Sequence, residues 1–230
     1  MREHHRILNV VPESSEGEPT LSKQLESAHD ELDVPEEERR IASRTLSIVK
    51  GKDLASYEHS LQVGLTARKI ARELGADERT ALLAGELHDN GKMFVPEALL
   101  KKTAAWTEED KVAMRKHDVH GADMLRGGPL DRLAPVVLMH HGRGPDDLPA
   151  WYAELPDTVR AQAEADAKIV SIADVYEALH RDNGRFDHPL NGAEIRAEMD
   201  KAFPDDGELI ERLYTARVFS EDAGMLAEAA

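Results

Sequence analysis

Residues 77–96 read DERTALLAGELHDNGKMFVP, and this stretch decides the fold class. Asp77 has the short polar side chain that caps a helix N-terminus. Leu82, Leu83 and Leu87 follow at helical spacing, and Gly91 and Pro96 mark where the helix must end. The helix delivers His88-Asp89 to its C-terminal end. A carboxylate there opposes the helix dipole, so helix stability alone does not account for the pair.

Outward from this stretch the pattern stays helical. Pro35-Glu36-Glu37-Glu38 forms an acidic first turn, with Ile41, Thr45, Ile48 and Val49 on one face. His59 to Leu74 places Val63, Ala67, Ile70 and Ala71 in register, and Gly75 is a stop. Thr107-Glu108-Glu109-Asp110 resembles a capping box before Val112 to His117. Further helices are expected over Leu133 to His141 and Ala161 to Leu179. Asn191, with Glu194 three residues on, starts another, and the last spans Glu208 to Phe219. No strand-like alternation exceeds a few residues. The expectation is an all-α helical bundle over residues 36–230. Residues 1–35 read as a flexible acidic arm, with a helix beginning near Leu21 or after Pro35.

Composition narrows the function. The 230 residues carry 29 Lys plus Arg against 45 Asp plus Glu, a formal net charge of −16. That argues against a nucleic-acid polymer as partner, since such affinity rests on cations neutralising phosphates. It argues equally against a basic membrane-surface protein. No window approaches the roughly 18 consecutive apolar residues of a spanning helix, and Met1 to Val10 precedes no apolar leader core. The absence of cysteine excludes disulfides, thiolate metal sites and Cys nucleophiles. It fits a cytoplasmic protein.

The distribution of His and Asp is the informative feature. His88-Asp89 and His140-His141 each close a helix, the second pair just before Gly142-Arg143-Gly144-Pro145. His59 and His117 are placed at or beside the ends of two more helices. Asp174 lies in an apolar run, between Ala173 and Val175, where a carboxylate must be paired, hydrogen-bonded or metal-bound. Imidazole with carboxylate suits iron, manganese or zinc. Several such residues on separate helices are what a metal site in a helical core needs. Solitary His4, His5, His29, His120, His180 and His188 read as hydrogen-bonded or surface residues.

His88-Asp89-Asn90-Gly91-Lys92 resembles the HD-x-G-K signature of the HD superfamily of metal-dependent phosphohydrolases. His59-Ser60, His88 through Pro96, His117 through Leu125, His140-His141 and Ala167 through Leu179 resemble its HD-GYP branch, in order. The resemblance implies two divalent transition-metal ions, iron, manganese or another. His59, His88, Asp89 and Asp174 would hold one. Asp89 would bridge to a second, completed by His117, His140 and His141. Two such cations, about 3.5–4 Å apart, activate a bridging water and clamp a phosphoryl oxygen. Lys92 would stabilise charge on the phosphate as a catalytic and substrate-binding residue, and Arg143 would contact phosphate too.

The sequence departs from the branch in one region. Gly142 stands where the branch has Glu, the Gly-Tyr-Pro is absent, and Asp146-Asp147 follow. An extra stretch, Trp151 to Gln162, precedes the long helix. Asn183-Gly184-Arg185-Phe186 stands near the branch's Arg-Pro-Tyr, and Ala55 occupies the position of a third-metal Glu. These changes favour a small phosphate ester, a nucleotide, over cyclic di-GMP, with Trp151-Tyr152 closing the pocket. The alternatives are a cyclic dinucleotide phosphodiesterase of the HD-GYP type and an HD-fold mixed-valent di-iron oxygenase. The reading admits an oligomer.

Overall fold

The helix expected after Asp77 forms between Glu78 and Leu87, and the Asp77 carboxylate accepts from the backbone N–H groups of Arg79 and Thr80. The computed structural model describes residues 19–102, 104–181 and 186–220. Helices α1 (Leu21–Glu31) and α2 (Glu36–Lys52) lead into α3 (Leu54–Leu74), α4 (Glu78–Leu87) and the short α5 (Glu97–Leu100). Then come α6 (Glu108–Leu125), α7 (Ala134–Met139), the single turn α8 (Ala150–Ala153) and α9 (Asp157–Leu179). Helices α10 (Gly192–Ala202) and α11 (Gly207–Thr215) complete the order. No strand occurs among the described residues, as the all-α reading expects.

The bundle is built around α3, which packs on α4 and α9, while α7 packs on α6 and α9. A Cβ on Gly85 would sit 2.7 Å from Gly64 Cα, so α3 and α4 meet backbone to backbone. Leu82, Leu83 and Leu87 of α4 are fully buried beside that crossing, as are Val63, Ala67 and Ile70 of α3. Each such residue contributes about 1.5–3 kcal/mol by leaving water, less for Ala. Small residues let the helices approach, and large ones fill the space around the contact.

Helix ends follow local chemistry. Gly75 closes α3 at φ 69°, and Thr107 and Asn191 each form a capping box. Differences from the sequence reading have physical causes. Helix α6 runs on to Leu125, so His117 lies inside a helix and not at its end. The last helix stops at Thr215, and Ile48 is 56% exposed where a core position was expected. A helix does begin near Leu21, one of the two starts the sequence allowed. Thr20 caps α1, and Leu25, Ala28 and His29 are buried beneath it. His4, His5 and Asn183 to Arg185 lie outside the described residues.

Candidate metal centre

Each expected ligand comes from a place where the chain turns or crosses. His88 follows the last residue of α4 and Asp89 begins a 3₁₀ turn, Asn90–Phe94. That turn lies directly against α6. A Cβ on Gly91 would meet the His117 carbonyl oxygen at 1.8 Å, so only glycine fits the crossing. Asn90 secures the same contact by donating to the Gly121 carbonyl at 3.2 Å. His140 follows α7, and Gly142 turns the chain sharply at φ 66°. That turn brings the His140 and His141 rings to 3.9 Å between centroids, although adjacent helical residues diverge by about 100°.

Three imidazoles share one orientation. His88, His117 and His140 donate from Nδ1 to the carbonyl three residues earlier, Gly85 at 2.7 Å, Met114 at 2.7 Å and Val137 at 2.6 Å. This fixes the tautomer and leaves each Nε2 as the ligating nitrogen. All three Nε2 atoms are buried and hydrogen-bonded to nothing among the described residues. Buried polar atoms without partners are rare in a folded protein.

Asp89 sits between the histidines. Its Oδ2 lies 3.2 Å from His88 Nε2, and its Oδ1 lies 3.2 Å from His117 Nε2. Ligand atoms about 2.1 Å from one cation sit roughly 3.0–3.4 Å apart. Potential ligand atoms of His59, His88 and Asp89 lie within 4.8 Å of one another, and so do those of Asp89, His117, His140 and His141. Asp174 joins the first group, with Oδ1 2.8 Å from His59 Nε2 and 3.6 Å from His88 Nε2. The structure therefore brings all seven expected ligands together around Asp89. The donor set of imidazole and carboxylate, with orphaned nitrogens, fits divalent transition metals.

Charge is balanced by these contacts. Burial opposes the charge of His88, but Asp89 and Asp174 carry its pKa up to about 10. Burial likewise works against the Asp89 carboxylate, and His88 and Lys92 hold its pKa well below the usual range. Burial and then the neighbouring imidazoles push His140 far down, so it is a neutral donor. Lys92 donates to Asp89 Oδ2 at 2.5 Å. Asp89 more than offsets the burial of that ammonium and raises its pKa.

Arg143 does not take the expected place. Asp118 holds its guanidinium through two donors, Nε at 3.0 Å and Nη2 at shorter range. The carbonyls of Arg115 and Asp147 accept from the same group, at 2.7 and 3.2 Å. Arg143 thus ties the loop after His141 to α6 and presents no free charge to a phosphate. Trp151-Tyr152 also lies elsewhere: Tyr152 is in the core, and Trp151 lines a cavity that shares no residue with the histidines. Residues 154–156 lead directly from α8 into α9, which begins at Asp157.

Sequence reading missed Lys52. It lies at the end of α2, and its Nζ donates to the carbonyls of Lys92, Met93 and Val95 at 3.3, 2.7 and 2.5 Å. It clamps the turn that carries Lys92. No local pattern marks it, because the partners are backbone atoms 40 residues away.

This arrangement is an HD centre, and the chain belongs to the HD domain family, which matches residues 56–179. HD domains are metal-dependent. The chain is 29% identical over 154 residues to the cyclic di-GMP phosphodiesterase response regulator RpfG of Xanthomonas campestris pv. campestris. It is 32% identical over 143 residues to the cyclic di-GMP phosphodiesterase PA4108 of Pseudomonas aeruginosa. It is 27% identical over 155 residues to the 3'3'-cGAMP-specific phosphodiesterase 1 of Vibrio cholerae. These matches cover 64%, 60% and 63% of this chain, but only 39%, 34% and 33% of the relatives. The HD domain of the L. monocytogenes phosphodiesterase PgpH superposes with a TM-score of 0.57 at 19% identity. That match covers 81% of this chain and 99% of that one, and shows a shared fold. Among the described residues no helix is long and apolar enough to cross a membrane.

Proposed function

We propose that this chain is a metal-dependent phosphohydrolase that cleaves a phosphate ester bond in a nucleotide. The observation that carries the reading is the ring of orphaned Nε2 atoms of His88, His117 and His140 around Asp89. His59, His88, Asp89 and Asp174 would hold one divalent ion, and Asp89, His117, His140 and His141 a second. Bound there, such ions lower the pKa of a water and polarise a phosphoryl oxygen. Asp89 orients both halves of the site. Lys92 has three donors and spends one on Asp89, which leaves two for a phosphoryl oxygen as its charge develops.

A cavity of about 350 Å³ opens beside His117 and His141, and Asp147 stands on its wall. Arg115, Asp118 and Arg143 line it too, so the charges on this wall are mixed in sign. The relatives named for cyclic di-GMP and 3'3'-cGAMP hydrolysis make a phosphodiester the first bond to test. With Trp151-Tyr152 away from the histidines, the pocket lacks the aromatic wall that the smaller ester was expected to use. Rates on nucleoside monophosphates, linear dinucleotides and cyclic dinucleotides, with Mn²⁺ and with anaerobic Fe²⁺, test the proposal. Release from none of them overturns it. Oxygen consumption with iron in place of phosphoester cleavage favours the di-iron oxygenase.

A further inference from the structure

A second cavity, of about 860 Å³, lies at the start of α9, bounded by the α3–α4 corner and by α7. Its volume is within the roughly 300–1,000 Å³ of small-molecule sites. None of its lining residues belongs to the metal centre. One wall is the stretch that departs from the HD-GYP pattern: Trp151, Leu155, Val159 and Gln162 all face it.

We propose that this cavity binds a small organic cation with a planar amidine or guanidine head, held by Asp166. The Asp166 side chain lines the cavity and is only 5% exposed. Its Oδ1 accepts from Gln162 at 3.0 Å. Its Oδ2 has no donor among the described residues. Burial pushes the carboxyl pKa up, as expected where no cation is near. A carboxylate has lone pairs for two parallel N–H groups besides the Gln162 bond.

Most of the other charges on the wall are already committed, and Glu154 is exposed to solvent. Asp77 caps α4, Asp131 accepts from the Gly127 N–H at 2.7 Å, and Arg132 pairs with Glu38 at 2.6 Å. Acidic residues outnumber basic ones on the lining, which favours a cation. The aromatic wall already accommodates one planar cation: the Arg126 guanidinium lies 4.6 Å from the Trp151 ring centroid. Leu155 and Val159 supply apolar surface for the body of the ligand, and Val159 is 41% exposed. Asp166 and Asp174 share α9 but stand about 12 Å apart along it, so this is a site separate from the centre.

Benzamidine is the probe, benzamide its neutral isostere, and the full chain in chelator the sample. Chelator makes the outcome independent of the phosphohydrolase reading. Titration calorimetry should show saturable one-to-one binding of benzamidine, at least tenfold tighter than benzamide. Asp166→Asn should weaken it at least tenfold. The chain has two tryptophans, so indole N–H resonances locate the site: Trp151 should shift and Trp106 should not. Val159→Trp, which fills the cavity and leaves Asp166 in place, should also abolish binding. Equal binding of benzamide, undiminished affinity in both variants, or a shift of Trp106 alone overturns the proposal.

Discussion

Asp89 engages three neighbours through two oxygens: His88 and Lys92 at Oδ2, His117 at Oδ1. A carboxylate so placed serves both halves of the centre, whereas each histidine serves one. Asp89→Ala should therefore strip nearly all metal from purified protein, and His117→Ala about half, as elemental analysis would show. Equal metal in wild type and Asp89→Ala contradicts the bridging role. Lys92 is tied to the carboxylate and not to an imidazole. Lys92→Ala should leave metal content unchanged and lower kcat about 10²–10³-fold, the size of one lost electrostatic stabiliser. Unchanged turnover on the preferred substrate contradicts that. The closeness of His88, Asp89 and Lys92 was legible because they are neighbours in the sequence, and the roles proposed for them come from the resemblance. The state of Arg143, in the loop after His141, was not legible, because it is set by Asp118 on α6, 25 residues away in the sequence.

At the scale of elements, the centre depends on where backbones touch. The 3₁₀ turn crosses α6 at Gly91 and Gly121, and a Cβ on Gly121 would meet Asn90 Oδ1 at 2.1 Å. The sequence reading followed this helix only from Val112 to His117. In the fold Gly121 is a contact, and the helix continues through it to Leu125. The apolar spacing of α3, α4 and α9 was legible because periodicity reports burial directly. The Lys52 clamp was not, because its partners are carbonyls and carry no side-chain signature. Lys52→Met should loosen the turn beneath Lys92. The expected result is a roughly tenfold lower kcat with KM and metal content little changed, and partial rescue in Lys52→Arg. A rise in KM alone, with kcat intact, would show that Lys52 contacts substrate instead.

At the scale of the whole molecule, the buried charges make stability depend on pH and metal together. In the chain without metal, burial opposes the His88 charge but Asp89 and Asp174 raise its pKa from 6.5 to about 10. A raised imidazole pKa stabilises the fold fully below about pH 6.5, and the contribution is lost as pH climbs through about 10. Asp89 and Asp174 are depressed well below 3.8 despite burial. Their contribution is present above 3.8 and is lost as pH falls through their native values. Metal binding runs the other way, because ligating imidazole must be neutral. The Tm of chelated protein should fall from pH 6.5 to 10, while its gap from metal-loaded protein widens. A gap independent of pH contradicts this. The N-terminal segment belongs to the same balance. Helix α1 buries Leu25 and Ala28, and His29 Nε2 lies 2.6 Å from Glu86 Oε1. Glu86 is fully enclosed, and burial raises its carboxyl pKa against the pull of His29. A chain starting at Glu36 exposes that apolar face and leaves Glu86 without its partner. Leucine burial of about 1.5–3 kcal/mol and an orphaned buried group of about 1–3 kcal/mol add to roughly 3 kcal/mol or more. For a domain of this size that lowers Tm by about 10 °C. His29→Leu in the full chain should show the smaller share, because the apolar face stays covered. A truncated chain melting with the full one would return residues 21–35 to the flexible arm.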